Sequence, residues 1–245
     1  MLITWNEFAW AAFLYGSIGG DRDYQALMQQ TQFLNDLRTN PTHLQTEQIQ
    51  EQLIKRFLNR WKCRVWNRPE TARAIVRTLE RLRFHLDALK DLEITTVGFD
   101  EAIAVDNDST RVSEIIEHCY NTVASIGFNF GPTASSKLLH ILQPGLFVMW
   151  DKDIVERFKG KNENVSNSGK GYRAFLELMQ QTGKEVSRSF YASDLNPLPK
   201  PDDDPVRYLS VQLGYDPPKT MAKYLDEYNW VTITNMVRVP PAWHP

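Results

Sequence analysis

The clearest periodicity in the chain lies between Pro69 and Leu89, where Ile75, Leu79, Leu82, Leu86 and Leu89 recur in a 4-3-4-3 rhythm. That spacing predicts an α-helix with one apolar stripe, and proline is tolerated at its first position because the missing N–H would be unpaired there. Arg73, Arg77 and Arg81 fall on the opposite face at i, i+4 and i+8. A similar stripe of Ile49, Leu53, Ile54, Phe57 and Leu58 predicts a helix from Thr46 to Arg60. Asp21 to Leu37 reads as another, bounded by Gly19-Gly20 and Asn40-Pro41.

Further along, Val112, Ile115, Ile116, Cys119 and Val123 place a helix from Ser109 to Ser125. A short helix ends at Phe158, and a polar loop from Gly160 to Gly169 precedes one from Gly171 to Gln181. Residues 196–205, rich in proline and aspartate, form the one linker-like stretch. A helical turn at Val206–Leu213 and a helix opened by Pro217-Pro218 follow, and Trp230 to Val239 reads as a strand. The pattern predicts an all-α, mainly helical domain over 1–195. The linker then joins it to a small C-terminal appendage of helix and strand, 206–245, packed on that domain.

Composition adds bounds. With 245 residues, 42% hydrophobic and 24% charged, the chain can bury a core without staples. Its longest apolar run, Phe8 to Tyr15, falls far short of the roughly 18 residues of a membrane span, so no membrane partner is expected. No basic segment precedes the first apolar one, and Cys63 and Cys119 have no metal-motif spacing. Reduced thiols in a cytoplasmic protein are the expectation. Five scattered histidines make no metal spacing, and nothing calls for a cofactor.

Net charge is −2, yet between Lys55 and Lys90 eleven Lys/Arg face three acids. That segment carries about +8, leaving about −10 for the rest, an asymmetry that predicts a basic patch. Trp61 and Trp66 are interleaved with Lys62, Arg64 and Arg68. Cations that track phosphate beside rings that stack on bases suit DNA or RNA; a solvated helix face over core tryptophans is the plainer alternative.

The most informative chemistry lies between Gly131 and Asp151. Gly131-Pro132 starts a helix cleanly and leaves the amides of Thr133 and Ala134 pointing outward, the arrangement that binds anions. Pro144-Gly145 then turns the chain, and Leu146 to Trp150 runs through the core to Asp151. Asp151 reads either as a catalytic carboxylate or as the cap of the next helix. Lys137 and His140, three residues apart on one helix, are candidate substrate contacts near it. Ser136, His140 and Asp151 could be drawn as a hydrolase triad, but no nucleophile elbow surrounds Ser136.

The order hairpin, helix, turn, apolar run and Asp resembles the helix-hairpin-helix DNA glycosylase superfamily over about Ser109 to Phe158. That resemblance implies a hairpin ending at Gly131 that holds phosphate through backbone amides, and Asp151 stabilising the cationic sugar during base excision. Thr133 stands where bifunctional members carry lysine, so lyase chemistry is not implied. Asn129-Phe130-Gly131 keeps only the second of the family's two hairpin glycines. The whole chain also looks like bacterial proteins sharing a Gly-Pro-Thr-Ala…Ser-Lys…Leu-His…Met-Trp-Asp pattern. The expected function is nucleic-acid binding or monofunctional hydrolysis of an N-glycosidic bond. The alternative is a binding module without the chemistry.

Overall fold

The computed structural model describes residues 3–19, 21–192 and 204–238, so most of the expected linker lies outside the described residues. Helix α1, Trp5–Ser17, starts at a reciprocal cap: Thr4 Oγ1 accepts from the Glu7 amide, and Glu7 accepts from the Thr4 amide at 2.8 Å. The expected single helix over Asp21–Leu37 is two, α2 (Arg22–Met28) and α3 (Thr31–Thr39). Phe33 lies about two and a half turns beyond Tyr24, so one straight helix would aim the two at opposite sides. The break at Gln29-Gln30 lets Tyr24, Leu27, Phe33 and Leu37 all bury.

Helix α4 (Thr46–Gln48) continues as a π-helical run, Ile49–Asn59, which buries the predicted stripe. Helix α5 (Pro69–Ala88) matches expectation, with Ile75, Leu79, Leu82 and Leu86 fully buried. Next comes a hairpin absent from the sequence reading: β1 (Ala102–Val105) pairs antiparallel with β2 (Asp108–Arg111), Ala102 opposite Arg111. Asp106 makes its tight turn at φ 56°. Residues 109–111 are therefore strand, and α6 begins at Val112 and ends at Ala124.

Helix α7 (Pro132–Leu142), an extended run through Phe147–Trp150 and α8 (Lys152–Lys159) follow. Helix α9, Gly169–Tyr191, is about twice the expected length. Its opening glycines serve packing: a Cβ on Gly171 would sit 2.2 Å from Ser166 backbone, and one on Gly169 would sit 2.4 Å from the Glu117 carbonyl. Helix α10 (Pro205–Gln212) leads to α11 (Met221–Asn229).

Trp230–Thr234, expected as strand, is a π-helical continuation of α11. Among the described residues the only strands are β1 and β2, which pair with each other and not with this segment. The protein is mainly α as expected, with its small strand-containing part in mid-chain rather than near the C-terminus. Helix α6 packs on α5, α7 and α9, and α11 packs on α1 and α9. One continuous core runs from Trp5 to Leu225.

Candidate functional site

Helix α6 reaches α7 through a turn of three consecutive left-handed residues, Gly127 (φ 82°), Phe128 (54°) and Asn129 (62°). Glycine adopts this region freely and asparagine tolerates it, but phenylalanine is strained there. Gly127 is thus the hairpin's conformational glycine, a role the sequence reading gave to Gly131. Gly131 itself is extended (φ −88°), and a Cβ there would meet nothing within 4 Å. No side chain caps α7, and among the described residues the amides of Thr133 and Ala134 have no acceptor. Thr4, Asp151, Ser168, Asp204 and Thr220 cap their own helices.

This turn is fastened to a second strained loop, residues 60–68. Lys62 and Arg64 are both left-handed, at φ 61° and 56°. The Asn59 side chain brackets the loop, accepting from the Val65 amide at 2.8 Å and donating to the Val65 carbonyl at 2.9 Å. Asn129 Nδ2 donates to the Arg64 carbonyl at 2.6 Å, and the Trp66 amide donates to the Phe128 carbonyl at 3.1 Å. Non-glycine residues in this region cost about 1–2 kcal/mol each, a cost met by those cross-loop bonds. Strain of this kind collects at functional sites.

The loop presents its chemistry outward. Trp66 is 50% exposed, and the Arg68 guanidinium lies 4.9 Å from its ring centroid. Lys62, Arg64 and Arg68 are exposed and make no ion pair among the described residues. Helix α5 departs from the same corner, carrying Arg73, Arg77 and Arg81 exposed along its length. Arg73 is paired to Glu70 at 2.8 Å, whereas Arg77 and Arg81 have no described partner. Lys62 and Trp66 therefore sit beside the 127–129 turn that leads into half-buried Gly131 and Thr133, whereas Ala134, expected at the same face, is buried; the arginine stripe runs away along α5.

Asp151, Lys137 and His140 do not share an open cleft. Asp151 caps α8, its Oδ1 accepting from the Ile154 amide at 2.9 Å, and Oδ2 accepts from Thr234 Oγ1 at 2.7 Å. His140 is fully buried. Its Nδ1 meets the Phe147 carbonyl at 2.6 Å and so must donate, which leaves Nε2 to accept from Tyr24 Oη at 3.0 Å. Burial pushes its imidazole down to about 3, against the Phe147 bond, which raises it. His140 is a neutral core residue. Lys137 is 8% exposed and turned inward: its Nζ donates to the Trp61 carbonyl at 2.9 Å and lies 5.1 Å from that indole. Ser136 bonds the Thr133 and Trp150 carbonyls, which accounts for it as packing.

Beneath the loop lies a charged cluster the sequence reading missed. Lys223, fully buried, sits 2.9 Å from Asp226, 3.3 Å from Glu227 and 3.9 Å from Asp21. Its ammonium faces the rings of Tyr15, Tyr24 and Trp61 at 4.5–5.0 Å. Lys219 joins Glu227 at 2.7 Å and also pairs with Asp21. Burial disfavours the Lys223 charge, but Tyr15 and the three carboxylates overcome it and hold it well above the usual ammonium range. Burial likewise pushes the Glu227 carboxyl up to about 7, outweighing its two lysines. Asp21 is held below its ordinary range, because Lys223 and Lys219 outweigh burial there.

Lys219, Lys223 and Glu227 follow i, i+4, i+8 spacing with mixed charge, which along a sequence looks like a solvated face. The interleaved Met221, Ala222 and Leu225 were the available signal. Chemically the cluster is a clasp: it ties α1, the start of α2 and α11 to the underside of Trp61. Among the described residues no group of side chains could hold a metal ion, and no helix is long and apolar enough to cross a membrane. No family model matches the chain, and neither a curated protein nor a solved structure matches it.

Proposed function

We propose that the chain binds nucleic acid through the face formed by residues 62–68, the turn 127–131 and the start of α7, without base excision by Asp151. The observation that carries this reading is the half-exposed Trp66, with Arg68 stacked on it among cations that no described acid neutralises. A ring held at the surface by cross-loop hydrogen bonds offers a stacking platform that accepts any base. Lys62, Arg64 and Arg68 flank that ring, and the free amide of half-buried Thr133 adds an anion-binding donor. The α5 arginines extend the positive surface along a backbone path.

The binding reading is preferred to excision because Asp151 already caps α8 and accepts from Thr234, while Lys137 and His140 are turned into the core. Fluorescence anisotropy with a labelled single-stranded oligonucleotide tests the proposal. Trp66→Ala is expected to weaken binding by about 1–3 kcal/mol, the usual worth of one stacked base. Unchanged affinity, or no binding by the native chain at low salt, would overturn the proposal.

A further inference from the structure

A second cationic feature lies outside that face. Helix α2 and the π-helical run Ile49–Asn59 leave between them a groove of about 420 Å³, within the usual range of small-molecule sites. π-helical runs are rare and collect at functional sites. The floor is apolar: exposed Ala26 faces the groove, over Leu27 and Phe57, which lie beneath it and are at least 98% buried. The rim carries Arg22, Lys55, Arg56 and Arg60 against Asp23 and Glu51.

Those charges are not all satisfied. Glu51 is shared by Lys55 and Arg56, both at 2.9 Å, and Asp23 holds Arg60 at 3.3 Å. Arg22 has no ion pair among the described residues. The rim is thus left with two positive charges in excess, one of them on an unengaged guanidinium. A phosphate monoester carries about −1.5 to −2 at neutral pH, and arginine is the side chain whose fork matches it.

Hydrogen-bonding groups narrow the ligand further. Gln30 Nε2 donates to Gln52 Oε1 at 3.1 Å across the groove, and also reaches the Ala26 carbonyl. Gln30 Oε1 and Gln52 Nε2 have no bond among the described residues. The clasped pair therefore presents one acceptor and one donor side by side over an apolar floor. That is the complement of a nucleobase edge, which offers a donor and an acceptor at neighbouring positions.

We propose that this groove is a nucleotide site, taking a nucleoside 5′-monophosphate with its base over Ala26 and the glutamine pair and its phosphate on Arg22. Its residues are not those of the 62–68 loop, so it stands or falls apart from the binding face. The test is calorimetric titration of the full chain with each common nucleoside 5′-monophosphate, with the uncharged nucleoside and inorganic phosphate as controls. A monophosphate is expected to bind at least about tenfold more tightly than either control. Arg22→Ala should weaken it about tenfold, a loss of ~1.4 kcal/mol. Gln52→Leu should weaken it and flatten the ranking among bases. Backbone amide shifts on binding should cluster at 22–30 and 51–60.

Four results would overturn the proposal: no binding of any monophosphate at about millimolar concentration, inorganic phosphate binding as tightly, both variants binding like the native chain, or amide shifts clustered at 62–68 instead.

Discussion

Glu227→Gln tests the buried clasp most sharply, because two opposing effects meet at that carboxyl. Burial raises it from an ordinary 4.5 to about 7, while Lys219 at 2.7 Å and Lys223 at 3.3 Å pull the other way. A group whose folded value lies above its unfolded value binds its proton more tightly in the native state. Below the unfolded value both states are protonated and nothing is lost. Stability then falls as pH rises from about 4.5 to about 7, and the loss is complete above that window. At about 1.4 kcal/mol per pH unit, the full loss is roughly 3 kcal/mol.

Glutamine keeps the shape and carries no charge at any pH. The variant should therefore gain on the native protein by roughly 3 kcal/mol between about pH 4.5 and 7.5, whatever constant offset the lost ion pairs impose. Urea denaturation at several pH values measures this, with equal m-values required so that only stability is compared. If the difference is flat with pH, burial and ion pairing balance. If the variant loses ground as pH rises, the lysines win and the native carboxyl lies below its ordinary range. Either result refutes the account of the cluster.

Other consequences are more local. Asp151→Ala removes the α8 cap and the Thr234 bond, and is expected to cost about 1–2 kcal/mol in chemical denaturation. Tyr24→Phe leaves His140 Nε2 buried without a donor and should cost about 1–3 kcal/mol. Cys119 is fully buried, and burial pushes its thiol up to about 12, so a thiol reagent should label it only at the rate of unfolding. Gly171→Ala would force a Cβ within 2.2 Å of Ser166 backbone, and a strongly lowered melting temperature is the expected readout.

Local rules carried much of the fold. The Pro69–Ala88 helix followed from five apolar positions and a proline, and the Ile49–Asn59 stripe faces inward as read. The break at Gln29-Gln30 has no glycine or proline to announce it; it reflects where Tyr24 and Phe33 must both bury. The β-branched residues after Trp230 suggested a strand, yet the segment continues α11 directly and buries Val231 against α1, so tertiary packing overrides the local preference. The Asp106-Asn107 turn between β1 and β2 carries turn chemistry in the sequence itself.

The site divides the same way. The cationic character around Lys62 and the open start of α7 at Thr133 were legible from charge and helix-start chemistry, whereas spacing left Trp66 open between a stacking surface and the core, and the structure leaves it half exposed. Asp151 was correctly suspected as a cap, whereas the inward turn of Lys137 and His140 depends on Trp61 and Tyr24, each more than seventy residues away in sequence. No local pattern brings Asp21 to Lys219 and Lys223.

The central claim is that the 62–68 loop contacts a polyanion, and the salt dependence of oligonucleotide binding tests it most directly. For a single strand, log K falls with log salt at a slope of about −0.7 per phosphate neutralised. Arg64→Ala with Arg68→Ala removes two such contacts and should make the slope shallower by about 1.4. A slope identical to that of the native chain would contradict the claim.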